Sequence, residues 1–187
     1  MATRFRKIGE NYPPIEPPEN LCWSHEVQFK LAGSGIDKLK EIISGIKVCI
    51  IDPLRPMVAG DWMKPNDASN FVGNLRKVAN DTSTVLILLH HVRKPERGRE
   101  VQPEDLIDEI KGPTEYCDAA GTVLLFNRVR HTKGDKGQFV ENNPNDRILY
   151  FVKVRDAPAE HQPLKLRFNR DNLTFEPQAH DSIQSYF

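Results

Sequence analysis

No apolar run in this 187-residue chain approaches the ~18 residues that would cross a membrane. The N-terminal stretch Met1-Ala2-Thr3-Arg4-Phe5-Arg6-Lys7 is charged and leads into no apolar h-region, so no secretory signal is expected. Cysteine is scarce. Cys22, Cys49 and Cys117 form an odd set without Cys-x-x-Cys spacing, which argues against a disulfide framework or a zinc ribbon. Net charge is absent too. Lys+Arg and Asp+Glu each total 26, which argues against a uniformly basic nucleic-acid coat or an acidic disordered tail. What remains is a reduced, cytoplasmic domain. Its 39% apolar residues suffice for a core, and its length is short for two full domains.

Fourteen prolines punctuate the chain. Pro13-Pro14-Ile15-Glu16-Pro17-Pro18 reads as an extended connector. Ser34 with Asp37 three residues on suggests a capping box. Ile36, Leu39, Ile42, Ile43 and Ile46 then form one apolar helix face. Val48-Cys49-Ile50-Ile51 is apolar without alternation, which predicts a strand buried on both faces as in a parallel sheet. A second helix is expected from Asn66 or Asp67, with Ala68, Phe71, Val72, Leu75 and Val78 inward. Thr84 to Leu89 is another buried strand, closed by His90-His91. A short helix is expected at Glu104 to Lys111, then a strand at Thr122 to Phe126. Arg147 to Arg155 alternates, and Leu164-Leu166-Phe168 with Leu173 and Phe175 reads as a hairpin turning at Asn169 to Asn172. Alternating strands and helices give an α/β class with antiparallel strands at its C-terminal end.

Three places carry chemistry. Asp52 ends the first buried strand, at the edge where α/β sheets bind ligands. An Asp there helps hold Mg²⁺ in nucleotide hydrolases, and it also serves as an ordinary turn cap. His90 and His91 end the next strand. By alternation one points inward and one toward the ligand edge, where it suits a phosphate or an attacking water. A metal site from Asp52, His90, His91 and His131 is the competing reading, without a recognised ligand spacing. Lys153 and Arg155 share one strand face, an arrangement suited to phosphate oxygens or to a solvated strand tip. The loop after His91 carries Arg93, Lys94, Arg97 and Arg99, followed by the acids Glu104, Asp105, Asp108 and Glu109. It reads as a basic surface or as a self-neutralising one.

Together these residues resemble the RecA-fold ATPases, in particular the RepA-type replicative helicases and related DnaB-like and KaiC-like ATPases. The stretch Val48 to Lys94 carries most of the likeness, followed by Asp118-Ala119-Ala120-Gly121-Thr122 and Lys153-Val154-Arg155. The resemblance implies a RecA-like, mostly parallel sheet flanked by helices. Asp52 would be its Walker B carboxylate, binding Mg²⁺ and through it ATP. His90 or His91 would sense phosphate. Lys153 and Arg155 would act at a neighbouring subunit's nucleotide. Arg93, Lys94, Arg97 and Arg99 would face DNA. Partners implied are further copies in a homo-oligomer or an ATPase subunit, and DNA.

That family's phosphate grip rests on a P-loop, G-x-x-x-x-G-K-[ST]. None of the eleven glycines here is followed by lysine. The resemblance places the P-loop, its strand and helix, and a second strand before Met1, so the P-loop strand is expected to be absent. The expectation is therefore a partial RecA-like core over 1–177, with a flexible tail over 178–187, that is not hydrolytic by itself. Alternatives are a P-loop-less subunit lending Lys153 and Arg155 to a partner ATPase, and an unrelated metal hydrolase. Without the P-loop strand, the strands at 48 and 84 must pair directly, recruit another segment or expose apolar edges.

Overall fold

A computed structural model describes residues 29–93, 103–128, 131–133, 139–141, 143–155 and 162–178. The chain forms two compact units, one over Ser24–Ala120 and one that takes in Gly121 onward.

In the first unit, α1 spans Ser34–Ile43. Gly33, at φ 54°, occupies the cap position, and no side chain caps the helix. The expected capping box does not form, because Ser34 already has helical backbone and its hydroxyl is not placed before the first turn. Helix α2 spans Pro65–Thr82. It starts one residue earlier than expected, with Pro65 in the first turn, where a missing N–H leaves nothing unpaired. Ala68, Phe71, Val72, Leu75 and Val78 are all buried, as the periodicity predicts. The helix ends at Ser83, whose left-handed backbone (φ 54°) directs its N–H back to the Ala79 and Asn80 carbonyls.

Strands β1 (Val48–Ile51) and β2 (Val85–Leu88) pair directly and in parallel, from Val48 opposite Val85 to Ile51 opposite Leu88. Ile51 is buried, and Cys49, Leu86 and Leu88 pack against the core built by Leu39, Ile43, Phe71, Leu75 and Val78. The opposite face is open. Val48, Ile50, Val85, Ile87 and Leu89 are 42–62% exposed. The expectation of strands buried on both faces is thus met on one face only. Period two puts the odd and even residues on different faces, and the core packs on just one of them.

A 3-10 helix over Pro103–Glu109 stands near the expected short helix. It is followed by α3 (Glu115–Ala119), which the sequence pattern does not announce.

The second unit is antiparallel. Strands β3 (Thr122–Asn127), β6 (Asp146–Val154), β7 (Leu164–Asn169) and β8 (Thr174–Pro177) form a four-stranded sheet in the order β3-β6-β7-β8. A separate two-stranded sheet joins β4 (His131–Lys133) and β5 (Phe139–Glu141). The β7–β8 hairpin turns where expected. Asn169 Oδ1 accepts from the Asp171 and Asn172 amides, and Asn172 Oδ1 accepts from the Thr174 amide. The class is therefore α/β with a small parallel sheet and a larger antiparallel one. Parallel pairing is confined to β1 and β2 among the described residues, short of a mostly parallel sheet. Strand β3 shows why. Val123 and Leu125 are buried while Leu124 and Phe126 are exposed, the one-sided alternation of an antiparallel strand.

Candidate functional site

The carboxyl ends of β1 and β2 lie at one edge because the strands run parallel in register. Two backbone bonds extend this edge. The Leu89 amide donates to the Ile51 carbonyl at 2.9 Å, and the Leu54 amide donates to the Leu89 carbonyl at 3.2 Å. Asp52 and Pro53 are bracketed between those bonds, joined by a cis peptide, with Asp52 exposed. His90 follows directly after Leu89. Asp52 and the two histidines are thus gathered at one strand edge, as the sequence order implied.

The histidines divide their roles. His91 is exposed. His90 has the parity of Leu86 and Leu88 and turns toward the packed side. Its Nε2 donates to the Lys111 carbonyl, which fixes the tautomer and leaves Nδ1 as an acceptor. Nδ1 is buried without a hydrogen-bond partner among the described residues. Trp62 meets the His90 ring edge-on at 5.8 Å between centroids, and Tyr116 lies against it at 5.7 Å. Burial holds the imidazole below its ordinary pKa. The bond to the Lys111 carbonyl opposes this, and the His91 and Lys111 charges add to it.

His90 also closes a backbone clamp. The Lys111 amide donates to the His91 carbonyl at 3.2 Å, and the Arg93 amide donates to the Glu109 carbonyl at 2.7 Å. Val92 bridges Ile110 in antiparallel sense. Residues 91–93 and 109–111 are therefore paired legs at the base of the basic loop. Arg93 is exposed on one leg. Lys94, Arg97 and Arg99 lie outside the described residues.

An aromatic group stands behind the edge. The Tyr116 hydroxyl donates to the Trp62 carbonyl at 2.9 Å, and Phe71 meets Tyr116 edge-on at 6.2 Å. Burial raises the Tyr116 pKa, and Asp67, Asp61 and Glu115 reinforce the rise. Asp67 Oδ2 accepts from the Asp61 amide at 2.8 Å and closes the loop before α2. Gly60 makes that closure possible: at φ 84°, its added Cβ would lie 2.6 Å from Asp67 Oδ2. Sequence reasoning missed Trp62, Lys111 and Tyr116, because 49 residues separate Trp62 from Lys111 and only the fold joins them. The positive Arg55 and the indole of Trp62, both just after Asp52, were the signal available.

Lys153 and Arg155 belong to the other unit. Lys153 is half-buried on β6, and Arg155 is exposed just beyond it, its amide donating to the Gly121 carbonyl at 2.8 Å. A bulge at β3, where Val123 faces Lys153 but Leu124 faces Phe151, shifts the alternation near this end. Among the described residues no three His, Cys, Asp or Glu side chains form a group that could hold a metal ion. No described helix is long and apolar enough to cross a membrane.

The chain and its fold have counterparts among known proteins. Residues 1–97 match the AAA domain family, which is more than half of the chain, and the chain belongs to that family. Among solved structures it is similar to a DnaB-like replicative helicase whose interactions with primase were described with it. Identity is 18% and the TM-score is 0.52, with 76% of this chain and 33% of the helicase chain covered. The fold is thus in the RecA-fold, P-loop-ATPase-like, DnaB-like group, and the chain spans about a third of that helicase's length. No curated protein matches.

Proposed function

We propose that this chain is the part of a RecA-fold ATPase that carries the metal-side carboxylate and the phosphate-sensing strand end. The complete protein would hydrolyse ATP with Mg²⁺ and work on DNA in an oligomer. The observation that carries this reading is the shared edge of β1 and β2, where Asp52 and His91 are both exposed and Leu89 bonds to both sides of Asp52. A single strand-end carboxylate suits a hard cation that keeps most of its waters and takes other ligands from phosphates. Asp52 would hold Mg²⁺ in that way. Bound there, the ion supplies neutralising charge at the phosphate oxygens.

His91, exposed and free to turn outward, is the phosphate-facing residue. His90 is a positioning residue, since its Nε2 is committed to Lys111. Lys153 and Arg155 would stabilise phosphate charge on a neighbouring subunit's nucleotide. Arg93, with Lys94, Arg97 and Arg99, would face DNA. The 187 residues contain no G-x-x-x-x-G-K-[ST], so this chain alone does not turn over ATP.

The test reads the frame upstream of Met1 for a G-x-x-x-x-G-K-[ST] segment and expresses the frame extended through it; an upstream frame without that segment overturns the reading. Mg²⁺-dependent phosphate release from ATP is expected there, abolished by Asp52→Ala. Turnover that survives Asp52→Ala overturns the reading, as does Mg²⁺-dependent turnover by the 187-residue chain alone.

A further inference from the structure

We propose that the aromatic face of the four-stranded sheet is a docking surface for a proline-rich, acidic segment, and that its occupant is residues 12–21 of this same chain. The register lays one apolar row across the sheet. Phe126 on β3 stands opposite Leu149 on β6, and Leu149 stands opposite Leu164 on β7. Phe168 shares the Leu164 face by period two and stands opposite Phe175 on β8. Strands β3 and β8 are the outer ones, yet the Phe126 and Phe175 rings meet edge-on at 5.1 Å, reaching over the two strands between them. Phe168 completes the group, 5.0 Å from Phe175. The three rings form a cradle that is open to solvent: Phe126, Leu164 and Phe175 are 41–44% exposed. On the reverse face, Leu125 and Ile148 are buried.

Aromatic cradles suit polyproline II segments. Such a segment makes no internal hydrogen bonds, its proline rings pack on aromatic side chains, and its backbone has little freedom left to lose. The stretch Tyr12-Pro13-Pro14-Ile15-Glu16-Pro17-Pro18-Glu19-Asn20-Leu21 has that composition. At three residues per turn, Tyr12, Ile15, Pro18 and Leu21 line one ridge, and Glu16 and Glu19 follow Pro13 on another. Ten residues of that helix span about 28 Å, close to the roughly 27 Å of a nine-residue strand such as β6. The compact unit that takes in this sheet also takes in Met1–Trp23. Charge agrees as well. From Ile8 to Ser24 the chain carries Glu10, Glu16 and Glu19 and neither Lys nor Arg. Arg147 lies on the Leu149 face by parity. Burial and the Arg128 charge push its guanidinium below the ordinary pKa, Asp146 opposes this, and Arg170 adds to it. Asp146 already pairs with Arg167 at 2.8 Å, so a further carboxylate at this end of the face is favourable.

The inference concerns a surface remote from Asp52 in sequence and stands apart from the ATPase reading, so its test needs no nucleotide. In the full chain, Cys22, Cys49 and Cys117 are replaced by Ser. One cysteine is then placed at Tyr12, Ile15 or Leu21 in turn, and a second by Leu164→Cys or by Lys165→Cys, neighbours on opposite faces of β7. Disulfide formation under mild oxidation is followed on non-reducing gels, with folding checked by circular dichroism. A link within one chain is expected to form on the order of tenfold faster to Leu164→Cys than to Lys165→Cys for at least one segment position. Adding Glu16→Lys and Glu19→Lys is expected to reduce that preference, and salt is expected to reduce it too. Equal rates to the two faces at all three positions overturn the proposal. So does a link that joins two chains and quickens with protein concentration, which would make a second copy the occupant.

Discussion

The His90 imidazole donates from Nε2 to the Lys111 carbonyl, which ties the end of β2 to the segment leading into α3. One histidine of an adjacent pair is thereby spent on holding the edge together, while its neighbour His91 stays exposed. The sequence presents the two as equivalent. The fold makes one a clamp and leaves the other at the surface.

This clamp makes stability depend on pH. Burial keeps the His90 pKa below the ordinary 6.5, so an unfolded chain takes up the proton at higher pH than the folded one does. The contribution is complete above about pH 6.5 and declines as the solution is acidified, until it is lost below the folded-state pKa. The groups facing the ring are His91, Lys111, Trp62 and Tyr116. Thermal melts from pH 7.5 to 5 should show the wild-type Tm falling more than that of His90→Gln. Parallel curves would remove His90 as the cause.

Phe71 is 2% exposed and joins α2 to Tyr116 within the core. Phe71→Ala removes its packing and leaves a cavity, which should cost about 3–5 kcal/mol. Urea denaturation measures this as a lower midpoint at unchanged slope.

Two glycines should respond with opposite sign. Gly73 lies inside α2 with nothing within 4 Å of an added Cβ, so Gly73→Ala should stabilise by roughly 0.5–1 kcal/mol. Gly60 combines φ 84° with the Asp67 carboxylate 2.6 Å from its added Cβ. Gly60→Ala should destabilise by at least about 1 kcal/mol. Equilibrium unfolding of the two variants side by side checks both signs.

Tyr116→Phe deletes the hydroxyl that holds the Trp62 carbonyl. The loss should be about 0.5–1.5 kcal/mol in stability. In a Trp23→Phe background, the Trp62 emission should also shift as the indole loosens. A spectrum identical to that of the parent would show that the hydroxyl does not position Trp62.

The open face of β1 and β2 should govern solubility. Ile50 and Ile87 are 62% and 42% exposed, and they stand opposite each other in the register. Replacing both with Thr should reduce concentration-dependent light scattering, with Tm nearly unchanged because neither side chain is in the core. Unchanged scattering would mean that association arises elsewhere.

Much of the fold was legible because its signals are local. The period of Ala68, Phe71, Val72, Leu75 and Val78 encodes the buried face of α2, whatever it packs against. Asn169 and Asn172 encode their hairpin turn through their own side-chain oxygens. Val48 to Ile51 reads as a doubly buried strand because an apolar run carries no information about how many layers surround it. The capping box failed similarly, since the spacing of Ser34 and Asp37 does not reveal where the helical backbone begins.

By itself, then, the sequence determined the two long helices, the apolar strands at 48 and 85, the strand-end positions of Asp52, His90 and His91, and the lack of a P-loop within these residues. Those follow from residue order and short-range chemistry. Only the tertiary structure decided which histidine is committed, that one sheet face stays open, and that Arg55 and Lys111 meet over Trp62. Those depend on contacts between segments far apart in the chain, and such contacts exist only once the apolar side chains have packed and brought the segments together.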